Sequence, residues 1–211
     1  MLDMKRIGLF GGTFDPIHNG HIRMAVEVAE NLQLDEVRLI PVNHPSHRSR
    51  PFASARQRSE MISSAIKKPL VLDNIELQRG GISFTFDTLN YFKAAYPGCS
   101  LQMILGEDAF ASLKAWYKAE DIFTLTNIVV VSRDGDGKEK RESSYSSLGG
   151  TLSNNLTDLI NSVGQVYFMR TPLLQISSTE IRRKIGLNKS ISGLVPAAVE
   201  NFILENNLYS S

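Results

Sequence analysis

Apolar residues come in short, consecutive runs, and stretches of helical spacing separate them; this alternation limits the chain to few architectures. The runs are Arg6 to Phe10, Val37 to Val42, Leu70 to Leu77, Leu101 to Leu105, Ile128 to Val131 and Val166 to Met169. Apolar side chains at successive positions suit strands covered on both faces. Between the runs, Ile22, Val26, Ala29 and Leu32, then Met61 and Ala65, then Leu89, Phe92 and Ala95 repeat at helical intervals. A strand, helix, strand rhythm implies a parallel sheet with right-handed crossovers. Ligands then bind beyond the carboxyl ends of the strands.

Composition narrows the function without choosing it. The 211 residues, 42% hydrophobic, suffice for one good core. With 23 basic and 22 acidic side chains the net charge is +1, so no global field draws in a polyanion. Neither nucleic acid nor membrane is expected as a partner; a small anion held by local groups fits. The one cysteine, Cys99, excludes an intramolecular disulfide and a cysteine-rich metal site. MLDMKRIGLF has no secretory apolar core, and no run nears the ~20 apolar residues of a membrane span. A cytoplasmic protein is the expectation. DGDGKEKRESSYSS, residues 134 to 147, holds no aliphatic side chain and is expected as an exposed loop. The segment from Ser177 onward is expected to be mostly helical, its last helix starting near Pro196 and packing Val199, Phe202 and Ile203.

The chemistry concentrates where the first strand stops. GGTFDPIHNGHI, residues 11 to 22, links that strand to a helix opened by Asn19 or Gly20. Gly11 and Gly12 are expected to let the backbone turn where a side chain would not, and to let amides approach a ligand. The helix start favours an anion. His18 and His21 surround it, as donors that are neutral or charged near pH 7. The sum is a phosphate cradle. All four histidines, His18, His21, His44 and His47, fall early in two pairs three apart. Zinc sites of that kind add thiolates or a well-placed carboxylate, so no bound structural metal is expected. Neither the Walker loop nor the dinucleotide fingerprint fits the glycines.

A second cradle lies near the other end. In Ile176-Ser177-Ser178-Thr179-Glu180-Ile181-Arg182-Arg183 a serine suits the N-cap, but Arg182 stands one turn into the helix, where the macrodipole disfavours a cation. A bound polyphosphate would remove that conflict.

Together these segments resemble the signatures of the nucleotidyltransferase superfamily: His18-Asn19-Gly20-His21 is similar to its HxGH motif, and the second segment to its ISSTxxR motif. Three further stretches resemble the bacterial nicotinate mononucleotide adenylyltransferases. Pro41 to Arg48 looks like that family's Pro-Pro-His-Lys loop, with Ser46 and Arg48 departing from it. Ser83-Phe84-Thr85-Phe86-Asp87-Thr88-Leu89 is similar to its Ser-Tyr-Thr-x-Asp-Thr-Leu, with Phe84 for tyrosine. Gly106-Glu107-Asp108 matches its Gly-x-Asp, and Trp116 falls at its tryptophan.

The resemblance implies an α/β fold, a Rossmann-like doubly wound, mostly parallel sheet with a helical carboxyl-terminal segment. One nucleotidyltransferase domain, 1–211, would divide into a core (1–175) and a helical part (176–211) that carries ISSTxxR. It implies adenylyl transfer from ATP to nicotinate mononucleotide, giving nicotinate adenine dinucleotide and pyrophosphate, a step of NAD biosynthesis. His18, His21 and Arg182 would be catalytic; Gly11, Gly12, Thr13, Phe14, Asp108, Ser178 and Thr179 would bind ATP; His47, Arg48, Thr85, Trp116 and Tyr117 would bind the mononucleotide. Mg²⁺ would arrive with ATP, held by phosphate oxygens and water. Nicotinamide mononucleotide or phosphopantetheine as second substrate, and a non-catalytic nucleotide-binding regulator, are the rival readings; the oligomeric state stays open.

Overall fold

The computed structural model describes residues 4–45, 50–132, 145–172 and 174–210. Seven strands form one sheet: β1 (Arg6–Gly12), β2 (Glu36–Pro41), β4 (Leu70–Leu72), β6 (Ser100–Gly106), β7 (Asn127–Ser132), β8 (Thr151–Leu152) and β9 (Gln165–Arg170). Their order is β4-β2-β1-β6-β7-β9-β8, and each pairing is parallel. The chain winds outward from β1 through β2 to β4, returns to β6 on the other side of β1, passes to β7 and then to β8 at the far edge, and comes back to β9 between those two. The order reverses between β1 and β6, so a crevice is expected above their carboxyl ends.

Side-chain alternation sends the strands' apolar groups to two cores. Ile7 and Leu9, Leu101, Met103 and Leu105, Ile128 and Val130 enter one; Phe10, Ile104, Val129 and Val131 enter the other. Helices cover both faces, which is why every residue of β7 is buried. The second core is closed by α1 (Asn19–Asn31), α2 (Ala55–Ala65), α7 (Leu156–Asn161), α8 (Ser178–Gly186) and α9 (Ala197–Glu205), through Ala25, Val28, Met61, Ile62, Leu159, Ile181, Val199 and Ile203. The first is closed by α4 (Thr85–Ala95), α5 (Glu107–Ala111) and α6 (Ala119–Leu125), through Leu89, Phe92, Phe110, Ile122 and Phe123. Pro196 is the N-cap of α9, as its sequence implied. No helix among the described residues is long and apolar enough to cross a membrane.

Two expectations are corrected. The run Leu70 to Leu77 is not one strand: β4 stops at Leu72, and α3 (Ile75–Arg79) begins three residues later. The carboxylate of Asp73 causes the break, accepting the Ile75 amide at 3.0 Å in a local turn while it also takes the Arg38 guanidinium at 2.6 Å. The loop expected over 134–147 lies outside the described residues up to 144, but Tyr145 is buried against Phe110 and Phe168 rather than exposed. An aromatic bounding a polar stretch can belong to the core beneath it.

A second, two-stranded sheet matters for the crevice. In it β3 (His44–Pro45) pairs in parallel with β5 (Ile82–Ser83). The connection into β5 passes through Gly80 and Gly81, at φ +70 and +69, where a side chain would be strained. This sheet brings the loop after β2 beside the start of α4, where the Asn43 amide donates to Ser83 Oγ at 2.9 Å.

Candidate active site

The cleft above β1 and β6 has a volume of about 1160 Å³, above the ~300–1,000 Å³ usual for a site holding one small molecule. Its first wall is the turn after β1. Gly11 and Gly12 are not there for backbone freedom, as sequence suggested: neither has positive φ, and the left-handed residue is Phe14, at φ +49. What excludes a side chain at Gly12 is the Phe14 ring, 2.9 Å from where a Cβ would stand. At Gly11 that position is open and borders the cleft, which keeps the main chain accessible.

Asn19 opens α1 and His18 caps it. The two histidines bind each other reciprocally: the His21 amide donates to His18 Nδ1 and the His18 amide donates to His21 Nδ1, both at 3.3 Å. Their rings stack with centroids 3.6 Å apart and planes 19° apart. Because both Nδ1 atoms act as acceptors, each neutral imidazole carries its proton on Nε2 and keeps one N–H donor for a ligand. Burial brings the His18 pKa down to about 4. Burial, and then the neighbouring His18 charge, press that of His21 well below its usual value. The expectation that they are neutral or charged near pH 7 is thus corrected. In the free protein both are neutral there, because one stacked, desolvated pair has no room for two charges.

The second motif meets the first. Ser177 Oγ caps α8 by accepting the Glu180 amide at 3.2 Å. Ser178 Oγ donates to the Pro16 carbonyl at 3.0 Å, and Arg182, 167 positions from its partner, donates to the Asp15 carbonyl at 2.6 Å. The same guanidinium reaches Thr179 Oγ1 at 3.3 Å and lies over the Phe52 ring at 4.8 Å. Those contacts relieve the conflict of a cation in the first turns of a helix. Asn19 ties the arrangement to the connection between α8 and α9: its amide donates to the Leu194 carbonyl and its side chain to the Gly193 carbonyl. The Asp15 carboxylate is 3% exposed and binds the chain itself, accepting the amides of Phe52 at 2.7 Å and Ala53 at 3.1 Å.

The far wall has a different character. Thr85 is the first residue of α4, and its N-cap, Phe84, makes no side-chain capping bond, so the first-turn amides face the cleft without one. Trp116 and Tyr117 follow a 3₁₀ turn, Leu113–Ala115, and are not on a helix. Trp116 Nε1 donates to Ser112 Oγ at 3.1 Å. Tyr117, 47% exposed, packs on Phe84 with centroids 4.7 Å apart, and Lys118 Nζ sits 4.3 Å from the Phe86 ring centroid. Beneath them the buried Glu76 accepts from Thr88 Oγ1 at 2.7 Å, and Arg79 donates to that hydroxyl at 3.0 Å. Asp108, in the first turn of α5, is exposed on the cleft's rim.

Gly11, Gly12, Thr13, Phe14, His18, His21, Thr85, Asp108, Trp116, Tyr117, Ser178, Thr179 and Arg182 therefore border one cleft. His47 and Arg48 lie outside the described residues. Phe52 and Glu76 also line the cleft and were not singled out from the sequence. Phe52 had no signal there; Glu76 had one, an acid three residues before Arg79 in a polar stretch leading to Thr85.

The chain matches the cytidylyltransferase-like family model over residues 9–184. It is 41% identical over 208 residues to a probable nicotinate-nucleotide adenylyltransferase of Pseudomonas aeruginosa, covering 97% of each chain. A counterpart from Hydrogenovibrio crunogenus is 38% identical, covering 97% of this chain and 98% of that one. Among solved structures, the nicotinic acid mononucleotide adenylyltransferase of Plasmodium falciparum, complexed with NaAD, superposes with a TM-score of 0.73 at 19% identity, with 97% of both chains covered. At that identity the likeness speaks to the fold.

Proposed function

The chain belongs to the cytidylyltransferase-like family, among the nicotinate-nucleotide adenylyltransferases, and from that premise we propose which residues of the cleft carry the reaction. The reaction joins ATP to nicotinate mononucleotide, giving nicotinate adenine dinucleotide and pyrophosphate. A phosphate oxygen of the mononucleotide attacks the α-phosphorus of ATP, and the bond from that phosphorus to the β-phosphate oxygen breaks. The attacking oxygen is already ionised, so no general base is needed; the chemistry needs two anions held in line and the leaving charge neutralised.

In this reading the turn after β1 and the start of α8 hold the triphosphate. His18 and His21 each offer Nε2–H beside the amides of Gly11 to Phe14, while Thr179, Arg182 and the first-turn amides of α8, Ser178 among them, take the β and γ phosphates. A nearby polyphosphate would raise both imidazole pKa values, strengthening donation as charge builds on the departing pyrophosphate. Asp108 faces the adenosine ribose. At the other wall the Thr85 amide takes the pyridine carboxylate, Trp116 and Tyr117 supply a flat apolar surface for the ring, and His47 and Arg48 complete the mononucleotide's side. Mg²⁺ enters as part of the ATP substrate. The donors at the triphosphate end are N–H and hydroxyl groups, suited to phosphate oxygens, and among the described residues no three His, Cys, Asp or Glu side chains gather as a metal site. We further propose that residues 1–211 act as one domain, in the cytoplasm.

The observation that carries this reading is the 2.6 Å bond from Arg182 to the Asp15 carbonyl, which joins the second motif to the first. Removing one preorganised donor of this kind costs about 10²–10³ in turnover. Arg182→Ala, His18→Ala and His21→Ala should each lose that much pyrophosphate release from ATP and nicotinate mononucleotide while still unfolding cooperatively. Full turnover in any of the three would remove that residue from the mechanism. Nicotinamide mononucleotide, lacking the carboxylate, should turn over far more slowly in the same assay.

A further inference from the structure

After α9 the chain turns back toward the cleft, and Asn207 and Tyr209 both take left-handed backbone, at φ +49 and +64. Asparagine takes it readily, but a tyrosine does so only where the surroundings hold it. Tyr209 is held by packing of its ring on the second core and by Asp15, to whose Oδ1 its hydroxyl donates at 2.7 Å. Burial and the Asp15 charge both push the phenol's pKa up, so it stays protonated and serves as a hydrogen-bond donor at every working pH.

Asp15 in turn carries more than its own turn. Its carboxylate accepts the amides of Phe52 and Ala53. The buried Arg58 binds the same two segments from their carbonyls, reaching Thr13 at 2.8 Å and Ala53 at 3.3 Å. Residues 52 and 53 are thereby fastened to the turn that bears His18. Phe52 is 75% exposed, so its ring adds little to any core; what it touches is the Arg182 guanidinium. That guanidinium has two supports besides Thr179, an aromatic face and the Asp15 carbonyl. Both depend on how Asp15 sits.

We propose that Tyr209 is a positioning residue for adenylyl transfer: through the Asp15 carboxylate it fixes Phe52, and with it the Arg182 guanidinium, at the end of the cleft from which pyrophosphate leaves. The proposal rests on the assignment of that end to the triphosphate. It explains why a phenol rather than a benzyl group stands at 209, since packing on the core needs only the ring, and why an aromatic is kept in solvent at 52. A guanidinium held in advance loses less freedom on meeting its anion than one that must search for it.

The test runs the reaction backwards, with nicotinate adenine dinucleotide and pyrophosphate as substrates and ATP formation as readout, beside the forward assay. Tyr209→Phe keeps the ring and removes one bond to a charged group, for which about a tenfold rise in the KM for pyrophosphate is expected, with a fall in forward kcat and the KM for nicotinate mononucleotide unchanged. Phe52→Leu should show the same split, and Phe52→Tyr, which retains the aromatic face, should stay at wild-type values. A merely structural role would lower the unfolding midpoint and leave that split absent. If Tyr209→Phe and Phe52→Leu keep the wild-type pyrophosphate KM while Arg182→Ala is crippled, the positioning role is wrong and the triphosphate assignment stands. Should Arg182→Ala also turn over normally, that assignment falls and the positioning role falls with it.

Discussion

The two ends of the cleft are built by opposite means. At the end proposed for the triphosphate, side chains from distant segments bind main-chain carbonyls and amides: Arg182 to Asp15, Ser178 to Pro16, Arg58 to Thr13, Asn19 to Gly193, and the Asp15 carboxylate to Phe52 and Ala53. At the end proposed for the pyridine, ring contacts among Phe84, Phe86, Tyr117 and Lys118 and a helix start without a side-chain cap form the wall. On the proposed assignment, the difference follows from what each end would handle. Stabilising charge that develops on a leaving pyrophosphate requires dipoles already in place, because reorganising them during the reaction would cost what they return. A flat, weakly polar ring is gripped by surface contact, which tolerates small displacements.

The sharpest way to break that contrast is to remove the pin. Asp15→Ala leaves two amides, a phenol and the buried Arg58 without their negative partner. Stranding a buried charge and its donors costs about 3–5 kcal/mol. Urea unfolding should register a loss of that size for Asp15→Ala and almost none for Thr85→Ala at the other end. Equal losses at the two positions would mean that the triphosphate end is no more tightly built than the pyridine end.

The stacked histidines sharpen the contrast through pH. Their folded pKa values lie below the ordinary 6.5, His18 at about 4. Below pH 6.5 the unfolded chain therefore takes up protons that the folded protein refuses, so stability falls as the pH drops and levels off once the folded pKa is passed. For His18 alone the span is worth on the order of 3 kcal/mol. Urea unfolding from pH 7.5 to 4.5 should show that loss in the wild type, less of it in His18→Gln, and partial recovery when MgATP is added. Identical pH profiles for wild type and His18→Gln would show that the imidazole pair does not resist protonation.

How far the sequence disclosed all this depends on whether a role is local. Runs such as Ile128 to Val131 are apolar at each position because both faces of the sheet are covered, and that pattern is visible in one dimension. The histidines and the serine cap of α8 announce themselves through spacing at a helix start. The run from Leu70 misled, since the event that ends β4 is a carboxylate, Asp73, bound to Arg38 across the sheet. The backbone freedom expected of the glycines before Phe14 is not what Gly12 needs: the ring that crowds it is a neighbour only after folding. Phe52 and Arg58 escaped notice for the same reason, as did the role of Tyr209, because each acts by meeting Asp15 or its surroundings across a long stretch of chain, and no periodicity records such a meeting.

The smallest expected effect belongs to the pyridine wall and tests the tolerance argued for it. Trp116 is partly buried against the core that holds Phe110 and Leu113, and its indole N–H is already bound to Ser112, so the face is what it offers to a ligand. Aromatic pairs contribute about 0.5–1.5 kcal/mol beyond the area they bury, which corresponds at most to roughly a tenfold change in affinity. Trp116→Ala should raise the KM for nicotinate mononucleotide by about that factor and leave the KM for ATP where it was. Trp116→Phe should recover most of the difference, because a smaller ring still presents a face, whereas no conservative exchange of Arg182 should recover activity, lysine included, since a point charge cannot reproduce a planar fork held at two places. Steady-state kinetics with each substrate varied in turn decides it: a KM for ATP that rises as much as that for the mononucleotide would mean that the two ends act as one unit and that the division drawn between them is false.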